Sequence, residues 1–415
     1  MSNWERAKIG DLCNTVSDTY RGGDSFVIPI NTSDVYDGEI LNHEMVENRG
    51  LKGQFKKTFL LDDILFSEIR PANKRFAYVD DEDTSLYIAS TKLMVLRANQ
   101  DRVLPKYLFA VLSSKDMLSE LQLRAESRSG TFPQITFSGE LAPIEIPLPD
   151  LATQRKIVFI LDAIQRRIKI NNRIQDILFE KAKAIFENKI SQGTKDGNWR
   201  QAYLTDIANY LNGLAMQRYR PLQGEEGIPV LKIKELRQGF CDADSELCSP
   251  NIKKEYIVHD GDVIFSWSGS LLVDFWCGGT CGLNQHLFKV TSDEYAPWFF
   301  FAWTLHHLDS FKAVAAAKAT TMGHIKRGDL DKAAVWIPPA AQYEEMERQI
   351  APLYELVIKL RAENKSLERL RDAVTPKLIS GHLDVSEMKL PAREAARTAA
   401  MFIEDAEQIE VSDER

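Results

Sequence analysis

The sequence predicts an α+β protein with two similar globular halves, each followed by a long helix. Three observations lead to this prediction. Short segments recur about 195 residues apart, two glycine-free stretches carry apolar residues at helical spacing, and short β-rich runs end in turn signals. A length of 415 residues also favours several domains, because one domain usually holds roughly 100 to 200 residues.

The repeat is visible in three ordered landmarks. Trp4–Asp11 resembles Trp199–Asp206, the run Asp63–Ser67 resembles Asp262–Ser266, and Pro105 and Pro297 each precede an aromatic-rich apolar segment. Runs such as 26–30, 86–89 and 93–96 are rich in β-forming residues. We therefore assign one globular domain to residues 1–150 and a second to residues 193–340.

Two long helices are predicted at 151–192 and 341–382. Their apolar residues advance in alternating steps of three and four, and the two seams match at an offset of 193 residues. We predict that the helices pack on each other as an antiparallel coiled coil, in which a paired asparagine fixes the register. The packing residues would be Ile157, Ile164, Asn171, Ile174 and Ile185 of the first helix, and Ile350, Val357, Asn364, Leu367 and Leu378 of the second.

Two other segments are assigned from composition. The glycines at 193 and 197 predict a flexible joint after the first helix, and residues 383–415 form an acidic, alanine-rich tail.

Composition excludes several classes of protein. A net charge of −8, from 52 basic and 60 acidic residues, gives no overall positive field, so any nucleic-acid surface must be local. No apolar run approaches the roughly 20 residues of a membrane helix. With five cysteines and no apolar signal core at the N-terminus, a cytoplasmic protein is expected.

Catalytic signatures are missing. The sequence has neither the glycine-rich phosphate loop of nucleotide enzymes nor the Asn-Pro-Pro-aromatic tetrapeptide of amino-methyltransferases. The cysteines and His286 lack zinc spacing, and Ser266–Ser270 lacks the elbow pattern of a serine hydrolase. His306, His307 and the aromatic run 295–303 are better explained as core and surface packing than as a metal site or a base-stacking platform. We expect no metal and no catalytic residue in this chain.

Several motifs resemble those of a known family. They are the segment 146–157 (IPLPDLATQRKI), the segment 171–178 (NNRIQDIL) and the segment 370–381 (LRDAVTPKLISG), together with 262–270 and 284–290 in the second half. Over nearly the whole chain the architecture resembles the specificity subunits of type I DNA restriction-modification enzymes.

The resemblance implies a DNA-binding role in restriction, DNA methylation and phage defence. Each globular half would be a target recognition domain that reads one half of a bipartite, asymmetric sequence in double-stranded DNA. The helices would set the spacing and dock two methyltransferase subunits, with restriction subunits joining the complex. S-adenosylmethionine, ATP and Mg²⁺ would belong to those partners, and this chain would carry no cofactor.

Candidate DNA contacts are basic or polar residues in turn-rich segments. Arginine can bond guanine O6 and N7 with two donors, and asparagine can do the same with adenine. The sequence leaves open which residues read bases and which contact phosphates. The candidates are Arg21, Arg70, Asn73, Lys74, Arg75, Arg124 and Arg128 in the first half, and Arg218, Arg220, Lys232, Lys234, Ser268, Lys318, Thr321 and His324 in the second.

Two other functions fit the sequence less well. A self-contained restriction endonuclease or methyltransferase is disfavoured by the missing motifs. A coiled-coil scaffold with two protein-binding domains agrees with the helices, but it does not explain why the two halves keep a common framework and differ in their loops.

Overall fold

The computed structural model describes residues 4–50, 53–128, 131–317 and 323–391. These residues fall into two units: the first contains the described residues up to 166 and from 367 onward, and the second contains 167–366. Both units combine helices with small sheets, so the α+β prediction is confirmed. Each of the two long helices contributes residues to both units.

Before the first long helix, the described residues form twelve strands and three α-helices. The strands are β1 Glu5–Lys8, β2 Cys13–Val16, β3 Phe26–Ile30, β4 Val35–Tyr36, β5 Glu39–Ile40, β6 Val46–Glu47, β7 Phe55–Lys57, β8 Ile64–Ser67, β9 Phe76–Tyr78, β10 Tyr87–Ser90, β11 Leu93–Ala98 and β12 Glu145–Leu148. The helices are α1 Ile9–Leu12, α2 Pro105–Leu112 and α3 Lys115–Arg128, followed by the long α4, Leu151–Asp196.

The remaining elements belong to the second repeat. Its strands are β13 Arg200–Tyr203, β14 Asn209–Asn212, β15 Ile228–Leu231, β16 Leu247–Cys248, β17 Ile257–Val258, β18 Val263–Ser266, β19 Leu272–Phe275, β20 Cys281–Leu283, β21 Leu287–Thr291 and β22 Ala334–Ile337. Its helices are α5 Leu204–Ile207, α6 Ile233–Gln238, α7 Pro297–Ala317, α8 Arg327–Leu330 and the long α9, Ala340–Ile379.

The two repeats share their sheet topology. The first has a four-stranded sheet in the order β2-β11-β8-β9, and the second has the order β14-β21-β18-β19. A further four-stranded sheet in each repeat, β6-β3-β10-β7 or β16-β15-β20-β17, contains one parallel pair at its centre. The first and last strands of each repeat pair as β1 with β12 and β13 with β22. The sequence repeat is therefore a repeat of structure.

Helices α4 and α9 run antiparallel where they meet. In the second unit Arg167 Nε donates to Glu363 Oε1 at 2.8 Å and Lys189 Nζ donates to Glu345 Oε1 at 2.7 Å. Since the partner number falls as the α4 number rises, the segments have opposite directions. In the first unit Ile157 and Leu378 are buried in one apolar core. The predicted packing of the two helices is confirmed.

The seam contains the expected asparagine pair. Asn171 Nδ2 donates to Asn364 Oδ1 at 2.8 Å, and both side chains are buried. Ile164, Ile350 and Val357 are also buried. The asparagines occupy equivalent positions of the two repeats and contact each other.

The seam of α4 departs from the prediction after Asn171. Ile174 is exposed, whereas Gln175 is buried. Farther along α4, Ala182, Phe186 and Ile190 are buried, whereas Ile185 is only half-buried. On α9, Leu367 is also half-buried. A helix with 3.6 residues per turn drifts away from a strict heptad, so the buried line moves by one residue. The prediction for Ile174 is therefore wrong.

The predicted joint after α4 is also wrong. Gly193 lies inside α4, and a Cβ atom placed there would come within 2.0 Å of Cε2 of Trp199. The indole of Trp199 donates to Gln342 Oε1 of α9 at 2.7 Å. Glycine is needed here for the close approach of Trp199 and not for a flexible joint.

The aromatic run of α7 is core, as predicted. Phe299, Phe301 and Trp303 are fully buried, and the ring of Phe301 contacts those of Phe179 on α4 and Tyr354 on α9. None of the helices in the described ranges is long and apolar enough to cross a membrane.

Candidate nucleic-acid interface

The loop between β8 and β9 gathers several of the predicted residues. It follows a fully buried strand, and it contains a 3₁₀ turn, Pro71–Asn73. Two backbone bonds fix it to a distant segment: Ile135 N donates to Glu68 O at 2.8 Å, and Arg70 N donates to Pro133 O at 3.1 Å. The loop is thus held by residues that lie more than sixty positions away in the chain.

Helix α3 supports the other side of this loop. Ala72 N donates to Gln122 Oε1 at 3.2 Å, and Arg128 at the end of α3 donates to Thr136 Oγ1 at 3.3 Å. Thr136 directly follows the segment that holds the loop. The structure therefore brings the residues of the 70–75 segment close to the C-terminal end of α3, where Arg128 lies.

Most of the basic side chains around this loop have partners within the protein. Lys74 pairs with Asp37 at 3.2 Å, Arg124 with Glu120 at 2.6 Å and Arg128 with Glu140 at 3.0 Å. Arg75 donates to Ser33 O at 3.1 Å and lies over the ring of Tyr36. These side chains are half-buried or exposed, so the ion pairs are weak in water and can be exchanged for phosphate contacts.

Arg70, Asn73 and Arg21 differ from these residues. All three are exposed, and none makes a side-chain hydrogen bond or ion pair with another described residue. Arg21 lies on a separate loop beside β7, where Tyr20 N donates to Lys56 O at 2.7 Å. The β8–β9 loop itself therefore exposes two polar side chains, Arg70 and Asn73, that make no side-chain bond to another described residue.

The second repeat holds its β18–β19 loop with the same bonds. Ile325 N donates to Trp267 O at 3.0 Å, and Gly269 N donates to Gly323 O at 2.9 Å. The serine that ends each buried strand, Ser67 or Ser266, directs its hydroxyl to the carbonyl oxygen two residues later. Gly269 is thus the structural equivalent of Arg70.

Different side chains surround this second loop. The ring of Trp267 lies 5.8 Å from that of His286 and 6.4 Å from that of His324, and its indole donates to Asn212 Oδ1 at 2.9 Å. Ser268 is buried, with its hydroxyl 3.2 Å from His286 Nδ1. The sequence predicts DNA contact in the segment Ser266–Ser270, but only Ser268 of it is among the candidate contact residues. His286 is not among them, although it lies in one of the two segments of this half that carry the family resemblance.

The other predicted residues of the second half do not all gather at this loop. Arg220 and Lys232 share the carboxylate of Glu246, at 3.2 Å and 2.8 Å. Lys234 donates to Asp242, and this bond lowers the pKa of Asp242 to about 2. Arg218 is exposed at the end of a 3₁₀ turn. Lys318 and Thr321 lie outside the described residues.

The described residues form no metal site. Within the described ranges, no group of three or more His, Cys, Asp and Glu side chains could hold a metal ion. Cys241 and Cys281 are neighbours in an apolar cluster, where the hydrogen bond from one thiol to the other and burial raise the pKa of Cys281. The cysteines are free thiols.

Comparison with known proteins finds one matching family model and several similar proteins. Residues 1–178 match the family model described as the type I restriction modification DNA specificity domain. The HindI specificity subunit of Haemophilus influenzae is 39% identical over 189 residues, which cover 45% of this chain and 41% of that protein. The match thus spans less than half the length of that relative.

A longer match has lower identity. The MjaIX specificity subunit of Methanocaldococcus jannaschii is 26% identical over 313 residues, covering 70% of this chain and 71% of that protein. Among solved structures, the S subunit of a type I restriction-modification system from M. genitalium has a TM-score of 0.50 at 16% identity, covering 91% and 96% of the two chains. That similarity supports the fold. Residues 1–178 thus match the type I restriction modification DNA specificity domain, and the chain as a whole is similar to type I restriction enzyme specificity subunits.

Proposed function

We propose that the chain is the DNA sequence-specificity subunit of a type I restriction-modification system, and that each repeat reads one half of a bipartite, asymmetric target. One observation carries this proposal. The β8–β9 and β18–β19 loops are held by the same backbone bonds, yet they present different side chains.

A common frame with different side chains suits the reading of two different half-sites. Base edges in the major groove are distinguished by hydrogen-bond donors and acceptors, so a reader changes its preference when the side chains on its loop change. The first loop presents Arg70 and Asn73, whereas the second is surrounded by Trp267, His286 and His324. A scaffold that bound the same protein twice would need the same chemistry at both loops.

The long helices supply the other parts of the proposal. On α4, Ile170, Ile174 and Ile177 are 53%, 37% and 58% exposed, and their spacing of four and three places them along one face. An apolar stripe in water favours a protein partner. We assign this face to the docking of a methyltransferase subunit. The complex would contain two such subunits together with restriction subunits. The long helices would set the spacing of the two half-sites.

Catalysis is assigned to the partners. The described residues present no metal cluster, and the sequence lacks nucleotide and amino-methyltransferase motifs. In this proposal S-adenosylmethionine, ATP and Mg²⁺ are bound by methyltransferase and restriction subunits, the present chain supplies recognition without catalysis, and the complex works in the cytoplasm.

DNA methylation in a host tests the proposal. The chain is co-expressed with the methyltransferase subunit of its own system, and methylated adenines are mapped by single-molecule sequencing. We expect modification at one split, asymmetric motif that disappears when this chain is omitted. Stable assembly with the methyltransferase but no motif and no DNA binding would contradict the proposal and favour the scaffold.

A further inference from the structure

We infer that Arg70 reads a base, and that its guanidinium binds a guanine in the half-site of the first repeat. The inference rests on the proposed function and deepens it, because it separates one base-reading side chain from the larger set of candidate DNA contacts.

The backbone at Arg70 has the conformation of a glycine position. Its φ is 45°, and the equivalent Gly269 has a φ of 64° with the same bond from its amide. A residue with a Cβ atom is disfavoured there, by roughly 1 to 2 kcal/mol for the left-handed region. Glycine would therefore serve the loop better, and the backbone supplies no reason for an arginine. The reason must lie in the side chain.

The Arg70 side chain does not stabilise the described part of the protein through a hydrogen bond or an ion pair. Its neighbours Lys74, Arg75 and Arg128 are engaged by carboxylates or carbonyls, whereas Arg70 is exposed and makes no side-chain hydrogen bond or ion pair with a described residue. A guanidinium is a planar fork of five N–H donors. Its best-matched partner on DNA is the O6 and N7 edge of guanine.

The backbone from which this side chain extends is held by the rest of the repeat. Pro71 is buried next to Arg70, Ala72 is bonded to α3, and Arg70 N is bonded to Pro133. The fixed backbone sets the point from which the Arg70 side chain extends, and the exposed side chain, which no described residue engages, is free to reach a base edge. In the second repeat Gly269 presents no side chain at this place, so the two half-sites need different bases here.

Two substitutions separate base reading from charge. Arg70→Gly copies the residue of the second repeat, so the loop should fold with an unchanged or raised melting temperature. Arg70→Lys keeps the positive charge but removes the fork. Gly269→Arg is the reciprocal variant. An added Cβ would meet Ile233 Cδ1 at 3.7 Å, an ordinary contact, and the φ of 64° strains a residue with a Cβ there as the φ of 45° does at Arg70.

The assay is adenine methylation of host DNA by the complete complex, mapped by single-molecule sequencing. With the wild-type chain, we expect one required guanine in the half-site of the first repeat. Arg70→Gly and Arg70→Lys should both relax that single position, with a loss of roughly 5- to 150-fold in discrimination, and leave the other half-site unchanged. Gly269→Arg should change only the other half-site.

The outcomes are distinct. If both Arg70 variants keep the wild-type motif, or if they weaken methylation equally for every sequence, Arg70 contacts phosphate or nothing and the inference is overturned. Should Arg70→Gly fail to assemble, the result with Arg70→Lys decides. If the wild-type complex assembles and modifies no split motif, the proposed function is overturned, and the inference is overturned with it.

Discussion

At the scale of single residues, His307 shows how a polar group is accommodated in the aromatic core of α7. Its ring lies parallel to that of Trp303 at 6.1 Å, and its Nε2 is 2.8 Å from the carbonyl oxygen of Ala334. Burial lowers the pKa of His307 below 6.5, even though the bond to Ala334 acts in the opposite direction. The neutral ring is therefore the form that fits the folded protein.

This burial makes stability depend on pH. Since the folded pKa lies below the unfolded value, the stabilisation is complete above pH 6.5 and is lost as pH falls through the folded pKa. We expect the free energy of unfolding to fall between pH 8 and pH 5.5, and to fall less for His307→Gln. Urea unfolding at both pH values measures the free energy of unfolding of each protein. An equal fall in this free energy for wild type and His307→Gln would contradict the explanation.

The candidate DNA contacts show which properties of a side chain the sequence cannot predict. Fifteen candidate DNA contacts follow from the sequence as basic or polar residues in turn-rich segments. Sequence alone could not find that Lys74, Arg124 and Arg128 pair with carboxylates while Arg70 has no such partner among the described residues. Two of those carboxylates, on Asp37 and Glu140, are distant in sequence, so the pairing depends on the folded loops.

At the scale of elements, the asparagine pair between α4 and α9 fixes the register of the two helices but lowers the stability of their seam. Asn171 and Asn364 bond to each other in a buried seam, while Asn171 Oδ1 is left without a hydrogen-bond partner among the described residues. Replacing Asn171 removes the donor to Asn364 Oδ1, although Asn364 Nδ2 keeps its 2.7 Å bond to Asn172 Oδ1, and replacing Asn364 removes the acceptor of Asn171 Nδ2. An unpaired buried polar group costs about 1 to 3 kcal/mol. Replacing both removes that cost.

A double-mutant cycle tests this account. Asn171→Leu and Asn364→Leu should each lower the free energy of unfolding by about 1 to 3 kcal/mol, and the double variant should be as stable as the wild type or more stable. Chemical denaturation of the four proteins gives the coupling energy. Additive losses would show that the two amides do not act as a pair.

At the scale of the whole molecule, the apolar stripe on α4 should matter for assembly more than for folding. Exposed substitutions usually change stability by no more than about 0.5 kcal/mol. We expect Ile170→Glu combined with Ile177→Glu to keep the wild-type melting temperature and to lose co-purification with the methyltransferase subunit. Lys183→Glu on the same helix is the control, because it is exposed and changes the net charge equally. Unchanged co-purification of the double variant would place the docking surface elsewhere.

The sequence by itself determined the repeat, the two long helices and the contact between Asn171 and Asn364. These features follow from local spacing: an apolar residue every three or four positions specifies a helix face, and a repeated segment specifies a repeated fold. The same spacing could not place Ile174, because the drift of the seam depends on the side chains that α4 meets, such as Phe301 packed against Phe179.

Only the tertiary structure decided how the two loops are built. Residues 68 and 135 are far apart in the chain, and the bond between them is matched by that between 267 and 325. Such long-range pairing leaves no periodic signal. The likeness of Asp63–Ser67 to Asp262–Ser266 already aligns Arg70 with Gly269, but only the folded chain shows that the two backbones have the same geometry there. The difference between the two loops arises because a fixed backbone frame can carry any side chain that its φ permits, and the first repeat places an arginine where the second has glycine.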